Sequence, residues 1–288
     1  MNEQVFAQII ELITQQTGII PRDSHKTGIQ NYIEKQLSAN SSKKSGPHSY
    51  EEYYTLLENN HDELINLINS ATVNETYFFR EEAQFHLLQS KIYPLLLQQI
   101  PVKRLRIWSA ACSTGEEIYS LLLLAHSMGI QTECIASDIN TKVLTACNDG
   151  KYKKKAIRSV DGAAYHYLLE PYIISGGGYE IPVDLRSKIS CRQINLSTLQ
   201  GFPRNQHVIF LRNVFIYFSS EMKKQILQKI AEVSLAPGGY LFVSMNEVAT
   251  LDPLMLPPDL EKMSDGKVFY FHKKEGNIYN WTDGKAVK

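Results

Sequence analysis

The stretch from Arg104 to Asp138 constrains this chain more than any other. RLRIWSA (104–110) is an apolar run of strand length. Ala110 to Gly115 is a turn of small residues, Glu116–Ser127 has helical periodicity, and TECIASD (132–138) reads as a second strand. Strand, helix and strand in that order make a βαβ unit, whose strands lie parallel with the helix covering one face. The alternation continues through a helix around Thr141–Asn148, a strand HVIFLRN (207–213) and a helix over 219–235. It ends with the turn Pro237-Gly238-Gly239 and the strands YLFVSM (240–245) and KVFYFHK (267–273). This pattern predicts an α/β domain on a mostly parallel sheet. Residues 168–193 break the rhythm: Gly176-Gly177-Gly178, Tyr179-Glu180-Ile181-Pro182 and KISCRQI imply a small β excursion.

Ahead of this region the periodicity is helical. Val5, Phe6, Ile9, Ile10 and Ile13 share one helix face, and Thr17-Gly18 ends that helix. Ile29, Tyr32, Ile33 and Leu37 mark a second helix, followed by the polar loop SANSSKKSGPHS (38–49). Ser49 and Glu52 have capping-box spacing before a third helix around Tyr53–Leu57, and Leu64, Ile65 and Ile68 mark a fourth. The expected organisation is a helical N-terminal domain (1–72), a connecting segment and helix (73–103), and an α/β domain (104–288) carrying the excursion at 168–193.

Charge narrows the partners. Lys plus Arg and Asp plus Glu are 30 each, so the chain lacks the cationic surplus that nucleic-acid binding needs. The neutrality conceals two halves: residues 1–72 hold five basic and nine acidic residues, a net of −4, and the remainder carries +4. No apolar run approaches the length of a membrane span, and the N-terminal segment lacks a basic region like that of a signal peptide, so the expected location is cytoplasmic. Cys112, Cys134, Cys147 and Cys191 form no CxxC pair and read as reduced thiols. The eight histidines make no HxH or HxxxH pattern, so no metal is expected. Three glycosylation sequons, at Asn74, Asn195 and Asn280, carry no meaning in a cytosolic chain.

The turn after the first strand points to a cofactor. Small residues let a ligand lie against the backbone, Gly115 reaches torsions closed to other residues, and the N–H groups at the following helix start favour an anion. The G-x-G-x-x-G of dinucleotide enzymes is missing, which disfavours a pyrophosphate cradle. Asp138 ends the second strand 23 residues after Gly115. At that place an acid accepts hydrogen bonds from ribose hydroxyls, or else caps the helix that follows Ile139-Asn140-Thr141. An adenosine cofactor without a diphosphate points to S-adenosylmethionine.

Five motifs occur in order: NETYFFR (74–80), WSAACSTGEE (108–117), ASDIN (136–140), FLRNVFIYF (210–218) and PGGYLF (237–242). Together with the helical N-terminus they resemble the chemotaxis receptor methyltransferases, the CheR family, over the whole chain. The resemblance implies a Rossmann-like methyltransferase sheet with a small helical N-terminal domain and a β excursion. It implies methyl transfer from S-adenosylmethionine to glutamate carboxylates in the cytoplasmic domain of a methyl-accepting chemoreceptor, giving methyl esters and S-adenosylhomocysteine. Carried over residue by residue, the implied cofactor contacts are Asn74, Thr76, Arg80, Gly115, Glu117, Asp138, Asn195, Leu196, Arg212 and Asn213. Arg80 and Tyr217 are the implied catalytic pair.

Blander readings stand beside these. Arg80 opens a helix and pairs with a carboxylate in the simplest account; Tyr217, Phe78 and Phe79 lie in apolar runs and read as core. Lys153-Lys154-Lys155 reads as a solvated face or as a docking patch for an acidic partner. The sequence departs from the family at three places. Gly28–Lys44 offers only Lys35, Lys43 and Lys44 where the family commonly has several arginines. His207 stands where an aspartate usually begins the strand. The excursion that tethers a receptor peptide in some members here contains Gly176-Gly177-Gly178. Alternative functions are a non-catalytic S-adenosylmethionine-binding signalling module and a methyltransferase acting on a different protein, a small molecule or nucleic acid; neutral charge disfavours the last.

Overall fold

The structure is a computed structural model and describes residues 2–40, 46–72, 74–101 and 103–275, without the side chains of Ser24 and Asn40. Lys43 and Lys44 of the second-helix charge count, the boundary residue Val73, the sequon at Asn280 and the end of the chain from Gly276 lie outside the described residues.

Four helices come first: α1 (Glu3–Thr17), α2 (Asp23–Asn40), α3 (Tyr50–Asn59) and α4 (His61–Ala71). Each boundary has a local cause. Asn2 caps α1 by accepting the N–H groups of Gln4 and Val5, and Gly18 closes it at φ 69°, a torsion that favours glycine. Ser49 accepts the Glu52 N–H at the start of α3, while the Glu52 carboxylate turns back to the His48 N–H instead of completing the box on Ser49. Ile9, Ile13, Ile29, Ile33, Tyr53 and Leu67 meet in one buried cluster.

Next come α5 (Glu82–Leu87), a π turn (Leu88–Ile92) and α6 (Tyr93–Gln99). Then follow β1 (Arg104–Ala110), α7 (Glu116–Ser127), β2 (Gln131–Asp138), α8 (Thr141–Asp149), β3 (Lys151–Tyr152), β4 (Tyr179–Glu180), α9 (Val183–Arg186), β5 (Ile189–Gln193) and β6 (Gln206–Leu211). The chain closes with α10 (Ser220–Lys229), β7 (Leu235–Phe242), α11 (Met245–Val248), β8 (Leu260–Asp265) and β9 (Val268–Lys273). Seven strands form one sheet in the order β5-β2-β1-β6-β7-β9-β8. β1 runs parallel to both β2 and β6, β2 to β5, and β6 to β7; only β9 runs antiparallel to its neighbours β7 and β8. This is the expected Rossmann-like α/β architecture. α7 is buried from Glu116 through Ala125, as a helix covered on every side must be. Every residue of β6 is buried, as befits a central parallel strand.

Four details differ from the sequence expectation. KISCRQI does not belong to the excursion: Ile189–Gln193 is an edge strand of the main sheet, in register with β2 from Cys134 to Asp138. Only β3 and β4 make the separate sheet. The rhythm looked broken because α9 spans four residues, too few to display a period. Pro237-Gly238-Gly239 is no terminal turn but a bulge inside β7, where the pairing jumps from Gln206↔Leu235 to Val208↔Tyr240. The helix over 219–235 stops at Lys229 and finishes in a π turn, Ile230–Ser234. β8 was invisible because only Leu260 of it is buried.

His207 lies near the amino end of β6, and its Nδ1 accepts the Arg106 N–H of β1 at 3.0 Å. Burial and the adjacent Arg106 hold this imidazole down to about 4, so it stays neutral. This departure from the family pattern therefore ties two strands together at the end away from the carboxyl termini.

Candidate active site

The sheet extends from β1 through β2 to β5 on one side and from β6 to β7 on the other. The crevice at such a switch point, beyond the strands' carboxyl ends, is where α/β sheets take ligands. A cleft with about 910 Å³ of empty space, counting its mouth, lies there. Its walls come from the ends of four strands, the segment before α5, and the ends of α1, α2 and α4.

The backbone at this place is unusual. Ala111 (φ 64°), Ser113 (φ 49°), Phe79 (φ 57°), Glu81 (φ 60°) and Asn213 (φ 58°) all lie in the left-handed region. Each such non-glycine torsion costs on the order of 1 kcal/mol, and strain of this kind concentrates at binding and catalytic sites. Gly115 reaches φ 96° at the cap of α7. A Cβ there would come within 2.4 Å of Cys147 Sγ, so packing against α8 requires the glycine. Of the eleven residues singled out from the sequence, Gly115 alone does not line the cleft; the other ten do.

Asp138 is 7% exposed. Its Oδ2 accepts the Ser113 N–H at 3.0 Å and its Oδ1 the Asn140 N–H at 2.9 Å, which leaves each oxygen further acceptor capacity. Burial pushes this carboxyl up from the ordinary carboxylate range, while the backbone N–H groups of Asn140, Ser113 and Ile139 pull it back down. The cap of α8 is Asn140, whose side chain accepts the N–H groups of Lys142 and Val143. The helix-capping account of Asp138 thus gives way to one in which its carboxylate faces the cleft.

Beneath the cleft a buried ion pair joins α7 to the end of β6. Arg212 Nε donates to Glu117 Oε2 at 2.7 Å, and Ser109 donates to Glu117 Oε1 at 2.6 Å. Arg212 also donates to the Arg80 carbonyl at 2.6 Å and to Gln84 Oε1 at 3.2 Å. Its guanidinium lies 4.9 Å from the Phe210 ring centroid. Arg212 therefore ties together three segments that line the cleft.

The facing wall is different. The Arg80 guanidinium donates to the Glu75 carbonyl at 3.1 Å and rests over Tyr77. Among the described residues no carboxylate lies within 4 Å of it, so the simple ion-pair account does not hold. Tyr217 is half-buried, and its hydroxyl makes no hydrogen bond among the described residues. Asn74 Nδ2 donates to Thr72, and its carbonyl accepts from the Ser113 hydroxyl. Asn195 reaches back to the Gln16 carbonyl at 2.8 Å, linking the end of β5 to the end of α1, and Leu196 is buried beside it. Phe78 and Phe79 are core, stacked among Tyr152, Tyr165 and Phe85. Lys153, Lys154 and Lys155 are exposed.

Two residues escaped the sequence reading. Glu247 is 1% exposed and accepts the N–H groups of Asn213 (2.8 Å) and Ile216 (3.3 Å), holding the loop that presents Tyr217. Its signal was present: Ser244 and Glu247 have capping-box spacing, and Glu247 Oε2 accepts the Ser244 N–H at 3.3 Å. His25, in the first turn of α2, lines the cleft beside Tyr217.

The lining suits an adenosine carrying a cationic tail. Ile139, Ile194, Leu196 and Val214 give apolar walls, and Asp138 retains acceptors for hydroxyl groups. The start of α7, open to an anion by backbone polarity, already carries two buried carboxylates, Glu116 and Glu117. Of the carboxylates that line the cleft, Glu117 and Glu75 have cationic partners and Asp138 has none among the described residues; a diphosphate would meet that charge unfavourably, whereas a sulfonium would not. Among the described residues no group of three or more His, Cys, Asp or Glu is arranged to hold a metal ion.

Residues 74–255 match the family model of the CheR methyltransferase, SAM binding domain. The chain is 30% identical over 261 residues to Chemotaxis protein methyltransferase 2 of Vibrio cholerae, covering 86% of this chain and 88% of that protein. It is 31% identical over 261 residues to the Chemotaxis protein methyltransferase of Escherichia coli, covering 86% and 85%. To Chemotaxis protein methyltransferase Cher2 of Pseudomonas putida it is 33% identical over 190 residues, covering 63% and 68%. A switch-point cleft fitted to S-adenosylmethionine, and a match that runs through most of the residues lining it, lead to one conclusion: the chain belongs to the CheR family of chemotaxis methyltransferases.

Proposed function

We propose that this protein transfers a methyl group from S-adenosylmethionine to glutamate side chains in the cytoplasmic domain of a chemoreceptor, giving methyl esters and S-adenosylhomocysteine, and that it works in the cytoplasm. The carrying observation is that an Arg80 guanidinium without a carboxylate partner and an unbonded Tyr217 hydroxyl line the same cleft as the Asp138 carboxylate. The names of the relatives support the receptor as substrate.

S-adenosylmethionine, when bound, supplies an electrophilic methyl on a sulfonium. Asp138 takes the ribose hydroxyls, Asn195 and Leu196 flank the adenine, and Asn74, Thr76, Glu117 and Asn213 complete the enclosure. A glutamate carboxylate is already an anion at neutral pH, so no side chain need remove a proton. The residues have to align the attacking oxygen and exclude water. Arg80 holds one carboxylate oxygen by a charge-assisted hydrogen bond, and the Tyr217 hydroxyl orients the other. Burial raises the Tyr217 phenol above its ordinary value, so it remains a donor across the physiological range. A cation also stabilises the anionic ground state, so Arg80 accelerates transfer through orientation rather than neutralisation.

The test incubates the protein with methyl-labelled S-adenosylmethionine and chemoreceptor-bearing membranes. Base-labile label on a receptor-sized band is expected. Cofactor binding by calorimetry without label would replace the proposal with a non-catalytic sensor. Label on another protein would replace the substrate.

A further inference from the structure

His25 belongs to none of the motifs that point to the cofactor, yet it lines the same cleft and is 5% exposed. Its Nδ1 accepts the backbone N–H of Arg22 at 3.2 Å, so the ring proton resides on Nε2. Nε2 makes no hydrogen bond among the described residues, and it is not among the atoms sealed from solvent. The ring packs on Tyr217 with centroids 5.1 Å apart. This placement is held from both sides: Ile20 N–H donates to the Tyr217 carbonyl at 2.9 Å, and Arg22 Nη2 donates to the Ile216 carbonyl at 3.1 Å. The segment entering α2 is thereby pinned to the turn that carries Tyr217.

The charge state matters here. Burial, and secondarily the adjacent Arg22, lower the imidazole from its ordinary value and keep it neutral. An imidazolium at this position would repel a sulfonium and stabilise a carboxylate before it attacks. A neutral N–H orients the same carboxylate without either penalty. Along the cleft, Asp138 stands at the end of β2, whereas His25 and Arg80 line it with Tyr217, which follows β6; with the ribose at Asp138, these three groups are left for the acceptor.

We propose that His25 Nε2–H donates a hydrogen bond to the carboxylate of the substrate glutamate, making His25 a third substrate-positioning group with Arg80 and Tyr217. This rests on the methyl-ester reading above. It gives the N-terminal helices a direct part in the chemistry.

The experiment compares wild type, His25→Phe and His25→Gln. Phenylalanine keeps the ring packing and removes the donor; glutamine restores an N–H at the ε position. S-adenosylhomocysteine affinity is measured by calorimetry, and kcat/KM with chemoreceptor-bearing membranes. For His25→Phe the expected result is a fall of about thirtyfold in kcat/KM, the value of one lost hydrogen bond to a charged group, with S-adenosylhomocysteine affinity within about twofold of wild type. His25→Gln should recover to within about threefold of wild type. Equal losses in both variants would mean a packing role, and a matching loss of S-adenosylhomocysteine affinity would mean a cofactor contact; either overturns the proposal. Wild type that labels the receptor while His25→Phe labels it equally fast overturns the role of His25 alone. Wild type that labels no receptor overturns the ester reading itself.

Discussion

At the β2 end of the cleft and beneath its floor, where α7 meets the end of β6, the polar groups are bonded within the protein. Asp138 takes two backbone N–H groups, Glu117 takes Arg212 and Ser109, and Arg212 takes two further acceptors. On the side formed by the segment before α5, the loop after β6 and the start of α2, the polar tips are nearly bare. Arg80 has one carbonyl, and Tyr217 Oη and His25 Nε2 have no partner among the described residues. A wall whose groups are mutually bonded is stiff and fixes where a ligand rests. A wall with free donors is completed only when an acceptor arrives, so its contribution falls on the reacting geometry. Affinity and turnover should accordingly separate between the two walls.

The largest effect is expected beneath the stiff wall. Arg212→Met leaves the Glu117 carboxylate buried without its cation and should cost about 3–5 kcal/mol in urea unfolding, with S-adenosylhomocysteine affinity lost as well. A cost below about 1 kcal/mol would show that the pair does not organise that wall. Next comes Arg80→Ala on the free wall: methyl transfer should fall about a hundredfold with S-adenosylhomocysteine affinity nearly unchanged. A parallel loss of affinity would erase the distinction between the walls. Asp138→Ala should weaken S-adenosylhomocysteine by about thirtyfold in calorimetry, the value of a hydrogen bond to a charged group. Unchanged affinity would remove the ribose assignment. Smallest is Tyr217→Phe, with transfer down about tenfold and the urea midpoint unmoved. Near-normal transfer in both Arg80→Ala and Tyr217→Phe would dissolve the catalytic pair.

Legibility in the sequence followed the range of the forces involved. The turn after β1 and Asp138 are written locally, since a strand end, small residues and an acid at fixed spacing leave few alternatives. The bond from Arg212 to Glu117 spans 95 positions, and nothing near either residue announces the other. Gly115 takes the left-handed torsion expected of it, and the further reason for a glycine there, the approach of Cys147 and Tyr152, comes from residues more than 30 positions away. His25 escaped because a histidine at a helix start carries no periodic or motif signal, and its meaning appears only once Tyr217 packs on it. β8 escaped because an exposed edge strand writes no alternation.

Asn140, the cap of α8, also reaches out of its own helix, to the Asn69 carbonyl at 3.0 Å and the Thr72 hydroxyl at 2.6 Å. Thr141 and Asn69 exchange a further pair of bonds at 3.1 and 3.0 Å. The floor of the cofactor cleft is thus stapled to the end of α4, while Thr17, Ile19 and His25 supply part of its side. The region matched by the family model starts at residue 74 and leaves out Thr17, Ile19, His25, Asn69 and Thr72. A fragment cut there would be no portable catalytic cassette but a vessel missing a panel, with Asn140 and Thr141 robbed of partners. Grafting N-terminal helices between relatives would exchange part of the reaction chamber, and any shift in receptor preference after such a swap would have to be separated from a change in the grip on the methyl donor.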